Sequence, residues 1–68
     1  MRYAIVIEKA KDNYSAYVPD LPGCIATGAS LEEVEAHIRE AVEFHLDGLR
    51  EDGTPPLPPS SHVEYVEA

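Results

Sequence analysis

With 68 residues, 13 acidic side chains against five basic ones and a formal net charge of −8, the chain has room for one domain and one small core. A domain of this size buries only about 60% of the surface its unfolded form exposes, and Cys24, the only cysteine, permits neither an internal disulfide nor a thiolate metal cluster to reinforce it. The acidity opposes direct nucleic-acid binding, no apolar run is long enough to span a membrane, and Met1–Glu8 lacks the apolar length and cleavage site of a signal peptide. Oligomerisation or a partner remains as the means of stabilisation, so a homo-oligomer, dimer or tetramer, is expected. The charge favours a basic partner or serves solubility alone. A lone free thiol agrees with a reducing compartment, and cytoplasm is the expected location.

The run Arg2–Glu8 is β-branched and aromatic, which predicts a strand over 2–8. Tyr3, Ile5 and Ile7 share one face, Ala4 and Val6 the other; with both faces apolar, both are expected to be covered. Lys11-Asp12-Asn13 reads as a hairpin turn, since Asp and Asn tolerate turn conformations. A second, antiparallel strand follows over 14–18. Pro19-Asp20-Leu21-Pro22-Gly23 then breaks the ladder, because proline offers no donor, and makes an ordered loop before a third strand over 24–28.

The helix is predicted over 31–52. Ser30-Leu31-Glu32-Glu33 is a capping box, and Glu32, Glu33 and Glu35 crowd the positive end of the helix dipole. Leu31, Val34, Ile38, Val42, His45 and Leu49 follow helical spacing as the core stripe, and Gly53 supplies the left-handed residue that ends it. Four prolines within Gly53–Ser61 enforce a stiff, extended segment of about 3.1 Å per residue, either a spacer or a proline-rich ligand for an aromatic groove. His62–Val66 alternates again and predicts a last strand, which a right-handed crossover would lay parallel to the first. The expected architecture is a single α+β domain over 1–68 in the order β-β-β-α-β. It comprises a three-stranded antiparallel sheet, a fourth strand and one long helix packed on one face.

Chemistry is poorly served by this pattern. Nucleophilic use of Cys24 needs an activating histidine and a lowered thiol pKa, yet the local sequence offers Asp20 and no cation. A buried thiol is the reading. His37 and His45 stand about 80° apart around the helix at 3.6 residues per turn, and no His-Glu-x-x-His pair occurs, so no metal and no cofactor are expected. The helix carboxylates read as a solvated face. One feature sits badly with a monomer: His37, Ala41, Phe44 and Gly48 share an edge beside the core stripe, with Phe44 about 140° from Leu31. This edge is either a contact surface for a subunit or partner, or is covered by a curling sheet.

Tyr17-Val18-Pro19-Asp20-Leu21-Pro22-Gly23-Cys24, then Gly28 and Ser30-Leu31-Glu32-Glu33, resembles the HicB family of antitoxins. The Gly53…Pro55-Pro56-Leu57-Pro58 tail is similar to the proline-rich exit of that family. The resemblance implies a partial ribonuclease H-like β-β-β-α-β domain. It also implies a function: neutralising HicA-type toxins, small basic ribonucleases with a double-stranded-RNA-binding-like fold, by covering their active site. The catalytic carboxylate cluster of ribonuclease H enzymes has no counterpart here, so no nuclease activity is implied. Many HicB-type antitoxins carry a C-terminal DNA-binding segment, and a chain ending at Ala68 is expected to lack it and the autoregulation it provides. The expected function is that of an antitoxin-like binding module, with an orphan self-associating module as its alternative. Its expected contacts are Asp20, Leu21 and Pro22 in the rigid loop, joined by His37, Ala41, Phe44 and Gly48 on the helix. A proline-flanked loop loses little entropy on docking, although Leu21 and Pro22 equally suit closure of the core.

Overall fold

Three short strands and one long helix are arranged in the order β1 (Val6–Lys9), β2 (Tyr14–Tyr17), β3 (Ile25–Gly28) and α1 (Leu31–Glu51) in a computed structural model that describes residues 1–68. The strands form one antiparallel sheet with β2 in the middle. Ala10 N–H donates to the Asn13 carbonyl at 2.8 Å and closes the first hairpin. Register then decides which side chains share a face. Ile7 lies opposite Ala16 and Ala16 opposite Ala26, and this row belongs to the core with Val34 and Ile38 of α1. The small alanines at its centre allow the helix to lie close to the sheet.

The adjacent row, Val6–Tyr17–Ile25, takes the opposite face because successive strand residues alternate. That face was expected to be covered, and it is open, with Ile25 70% exposed. The first strand is also shorter than the predicted 2–8. Val6 is paired with Tyr17, and beyond Tyr17 the chain turns away at Val18–Pro19, so residues before Val6 have no ladder partner.

Helix α1 begins as its sequence directs. Ser30 has extended backbone, and its Oγ accepts from the Glu33 N–H at 3.1 Å. Gly28 makes the seat for this first turn: a Cβ there would lie 2.5 Å from the Val34 backbone nitrogen. At the other end Gly53 has φ 71°, Gly53 N–H reaches the Arg50 carbonyl at 3.1 Å and Thr54 N–H the Leu49 carbonyl at 2.9 Å. These two bonds satisfy carbonyls the helix leaves free, in the Schellman arrangement. The core stripe is shifted from expectation: Val34 and Ile38 are buried, Ala41, Val42 and Leu46 pack against the core, and Leu31 is 47% exposed. Leu31 starts the helix ahead of the Gly28 seat and so lies past the sheet.

The predicted fourth strand is not formed within the chain. After α1 the proline-rich segment crosses the end of the sheet, where the Tyr3 hydroxyl donates to the Leu57 carbonyl at 2.7 Å. It then reaches Asp20, whose carboxylate takes hydrogen bonds from Ser60 and Ser61. The tethers thus end at the β2–β3 loop, and β1 keeps β2 as its ladder partner. Residues 60–68 are all exposed and none belongs to a strand. A radius of gyration of 13.1 Å exceeds the roughly 11 Å of a closed globule of this length, as an unclosed tail requires.

Candidate functional site

The loop Val18–Cys24 folds as two successive turns. Leu21 N–H donates to the Val18 carbonyl and Cys24 N–H to the Leu21 carbonyl, both at 3.1 Å. Pro22 then Gly23, with φ 83° at the glycine, are the central residues of a type II turn, which needs proline's fixed φ first and a left-handed residue second. Val18 N–H bonds the Cys24 carbonyl at 3.2 Å and ties the loop's base. Leu21, shared by both turns, is driven inward to 1% exposure. Its burial is worth about 1.5–3 kcal/mol.

Asp20 is also engaged internally. The backbone N–H groups of Ser60 and Ser61 donate to its Oδ2 and their hydroxyls to its Oδ1, each at 3.0 Å. Those donors, the Ser61 amide foremost and the Ser60 amide next, hold the Asp20 carboxyl below its ordinary pKa because they stabilise the charged form. Pro22 remains exposed, at the rim of a small concavity of about 280 Å³ shared with Pro19, Leu57 and Pro58.

The helix edge gathers into a different place. Phe44 is 83% exposed and stands over an open groove of about 480 Å³ whose helix wall includes Ala41, His45, Gly48 and Leu49. Gly23, Cys24 and Ile25 form the opposite wall, and Asp52 closes one end. Ala41 and Gly48 keep the floor low, and no atom lies within 4 Å of where a Cβ on Gly48 would be. Phe44 and Ile25 supply exposed apolar area, while α1 carries seven acidic side chains against Arg39 and Arg50. Arg50 is already paired with Asp47 at 2.8 Å. His37 lies apart from the groove: its Nδ1 donates to the Thr27 carbonyl at 2.6 Å, which fixes the tautomer, since a carbonyl can only accept.

The seven residues singled out in the sequence therefore divide. Ala41, Phe44 and Gly48 meet in one groove, His37 caps a carbonyl of β3, Leu21 is buried in the core, Asp20 is tied to the tail serines at the surface, and Pro22 is on a separate surface. Two contributors had no sequence signal. Ile25 sits in Ile-Ala-Thr-Gly, where either face of the strand could have been the inner one. The serines on Asp20 lie 40 and 41 residues from it. Cys24 is buried, and burial pushes its thiol pKa up, opposite to the direction an activated nucleophile requires. No three His, Cys, Asp or Glu side chains converge as a metal site would need.

Residues 3–68 match the family model described as HicB_like antitoxin of bacterial toxin-antitoxin system. An uncharacterised 14.9 kDa protein of Haemophilus phage HP1, from the rep-hol intergenic region, is 44% identical over 64 residues, covering 94% of this chain and 47% of the phage protein. A UPF0150 protein of Helicobacter pylori is 47% identical over 47 residues, 69% of this chain and 65% of its own length. Another, from Archaeoglobus fulgidus, is 45% identical over 56 residues, 78% of this chain and 81% of that protein. The chain thus spans about half the phage protein and just under two thirds of the Helicobacter one. No solved structure gives a significant match.

Proposed function

Because the chain belongs to the HicB-like antitoxin family, we propose that it neutralises a small basic ribonuclease of the HicA type by covering that enzyme's active site. The observation that carries this reading is the groove beside Phe44: exposed apolar area on the most acidic element of a −8 chain. Phe44 is the anchor, and burying a phenylalanine is worth about 1.5–3 kcal/mol. Ala41 and Gly48 allow the partner's backbone to come close, and Ile25, at the groove's rim, carries apolar area round to the open face of the sheet. Pro22 and His37 lie outside this groove and are proposed only as peripheral contacts. Asp20 and Leu21 act indirectly, by holding the loop that shapes the groove's far wall.

The surrounding carboxylates steer a basic enzyme and raise the rate of encounter more than the final affinity, so the association rate should fall steeply with salt. The proposed setting is the cytoplasm, where a buried reduced Cys24 is at home. The test is an RNA-cleavage assay with a HicA-type ribonuclease titrated with the chain. Wild type should suppress cleavage at stoichiometric amounts, and Phe44→Glu should lose at least tenfold in potency with its circular dichroism unchanged. Full protection by Phe44→Glu would remove the groove from the mechanism. A second reading, self-association with no toxin, draws on a different observation, the exposed apolar tail at Val63, Tyr65 and Val66.

A further inference from the structure

The proline-rich exit after α1 has a regular shape of its own. Proline fixes φ at 55, 56, 58 and 59, and each residue that precedes a proline, Thr54, Pro55, Leu57 and Pro58, is turned away from the helical region. Together these restraints select polyproline II over 54–59, with three residues per turn and so three ridges. Burial follows that period. Pro56 and Pro59 are half-buried, whereas Thr54, Pro55, Leu57 and Pro58 are exposed, Leu57 to 57%. One ridge lies on the domain and the other two face outward.

The segment is also pinned along its length. Thr54 N–H donates to the Leu49 carbonyl at 2.9 Å, the Tyr3 hydroxyl donates to the Leu57 carbonyl at 2.7 Å, and the Asp20 carboxylate accepts from Ser60 and Ser61. A ligand fixed beforehand loses little entropy on binding. Its outward ridges present Thr54-Pro55 and Leu57-Pro58, two X-Pro pairs three residues apart, the spacing that aromatic-lined grooves receive. Beside Pro58, Pro19 and Pro22 of the β2–β3 loop border the concavity of about 280 Å³, so an aromatic ring entering it meets proline on both sides.

From the phase of the ridges and the tethers together, we infer that Thr54–Pro58 is a second docking surface. It fits a protein whose groove is lined with aromatic rings and rimmed by basic side chains. The basic rim follows from charge: Glu51 and Asp52 lead into the segment, Asp20 lies beside it, and Arg50, the nearest cation in sequence, is paired with Asp47 at 2.8 Å. No residue of this surface lines the Phe44 groove, so mutation separates the two.

A WW domain with lysine or arginine at the rim of its aromatic groove is the probe, titrated into the isotope-labelled full chain with no ribonuclease present. The Thr54 amide and Leu57 methyl signals should shift, while those of Ala41 and Phe44 stay in place. The double variant Pro55→Ala with Pro58→Ala should bind about tenfold more weakly, with its helical circular dichroism kept. Asp20→Ala leaves every proline in place and cuts a tether, and should weaken binding about threefold. The free peptide Gly53–Ser61 should bind more weakly than the chain. Absence of shifts over Thr54–Pro58, a double variant or Asp20→Ala that binds like wild type, or a peptide that binds as tightly as the chain would each overturn the inference.

Discussion

Two proline-punctuated segments of this molecule behave in opposite ways. Val18–Cys24 folds inward: its prolines precede turn positions, Gly23 supplies the left-handed residue, and Leu21 is delivered into the core. Thr54–Ala68 carries four prolines as Pro-Pro-Leu-Pro-Pro without an interposed glycine, and it stays extended, held by Tyr3 and Asp20 and exposed beyond Ser61. Proline stiffens both. Glycine at the right offset is what converts stiffness into a turn. The loop is thus part of the fold, whereas the tail only leans on it, and Asp20 is where one meets the other.

Substitutions should separate the two. Leu21→Ala removes a fully buried side chain at the junction of two turns and should lower unfolding free energy by about 2–5 kcal/mol in urea titrations. A loss under about 1 kcal/mol would mean that the loop is as peripheral as the tail. Next in size, Gly28→Ala sets a methyl group against the Val34 backbone. Overpacking of this kind costs about 1–3 kcal/mol, and thermal unfolding should register it although no side chain is lost.

Loss of Asp20 should release Ser60 and Ser61, while Tyr3 still holds Leu57. In Asp20→Ala the amides of Ser60 and Ser61 should lose their hydrogen-bonded chemical shifts while those of α1 stay in place. Acid should do the same. The folded carboxyl pKa is depressed, so the tether's contribution is complete above the ordinary aspartate value of about 3.9 and is lost as pH falls through the lower folded value. A midpoint at or above the ordinary value would contradict the four-donor cradle. The smallest effect on stability belongs to Phe44→Glu, within about 0.5 kcal/mol, because an 83% exposed ring has little folding contact to lose.

The elements with local causes are legible in the sequence. The Ser30 cap, the Gly53 terminus and the Asp12-Asn13 turn each depend on residues within five positions of one another. The three-strand order follows from short connections, and the exposure of Phe44 from its angle on the helix. What depends on distant partners is not legible. Nothing near Asp20 announces Ser60 and Ser61, so its carboxylate reads as free for a partner. Alternation in His62–Val66 reads as a strand, yet none forms there, because a strand needs a ladder partner that local sequence does not specify. Leu46 and Ala41 join the core because of how the helix is rotated on the Ile7–Ala16–Ala26 row, a rotation the apolar stripe leaves open by about one residue.

The groove bordered by Phe44 and Ile25 is the surface proposed to bind the target. Amide hydrogen exchange of the chain, measured with and without a HicA-type ribonuclease, addresses it most directly. New protection should concentrate at Gly23–Ile25 and Ala41–Gly48, with the β1–β2 turn unchanged. Protection confined to the β1–β2 turn, with the groove unaltered, would contradict it.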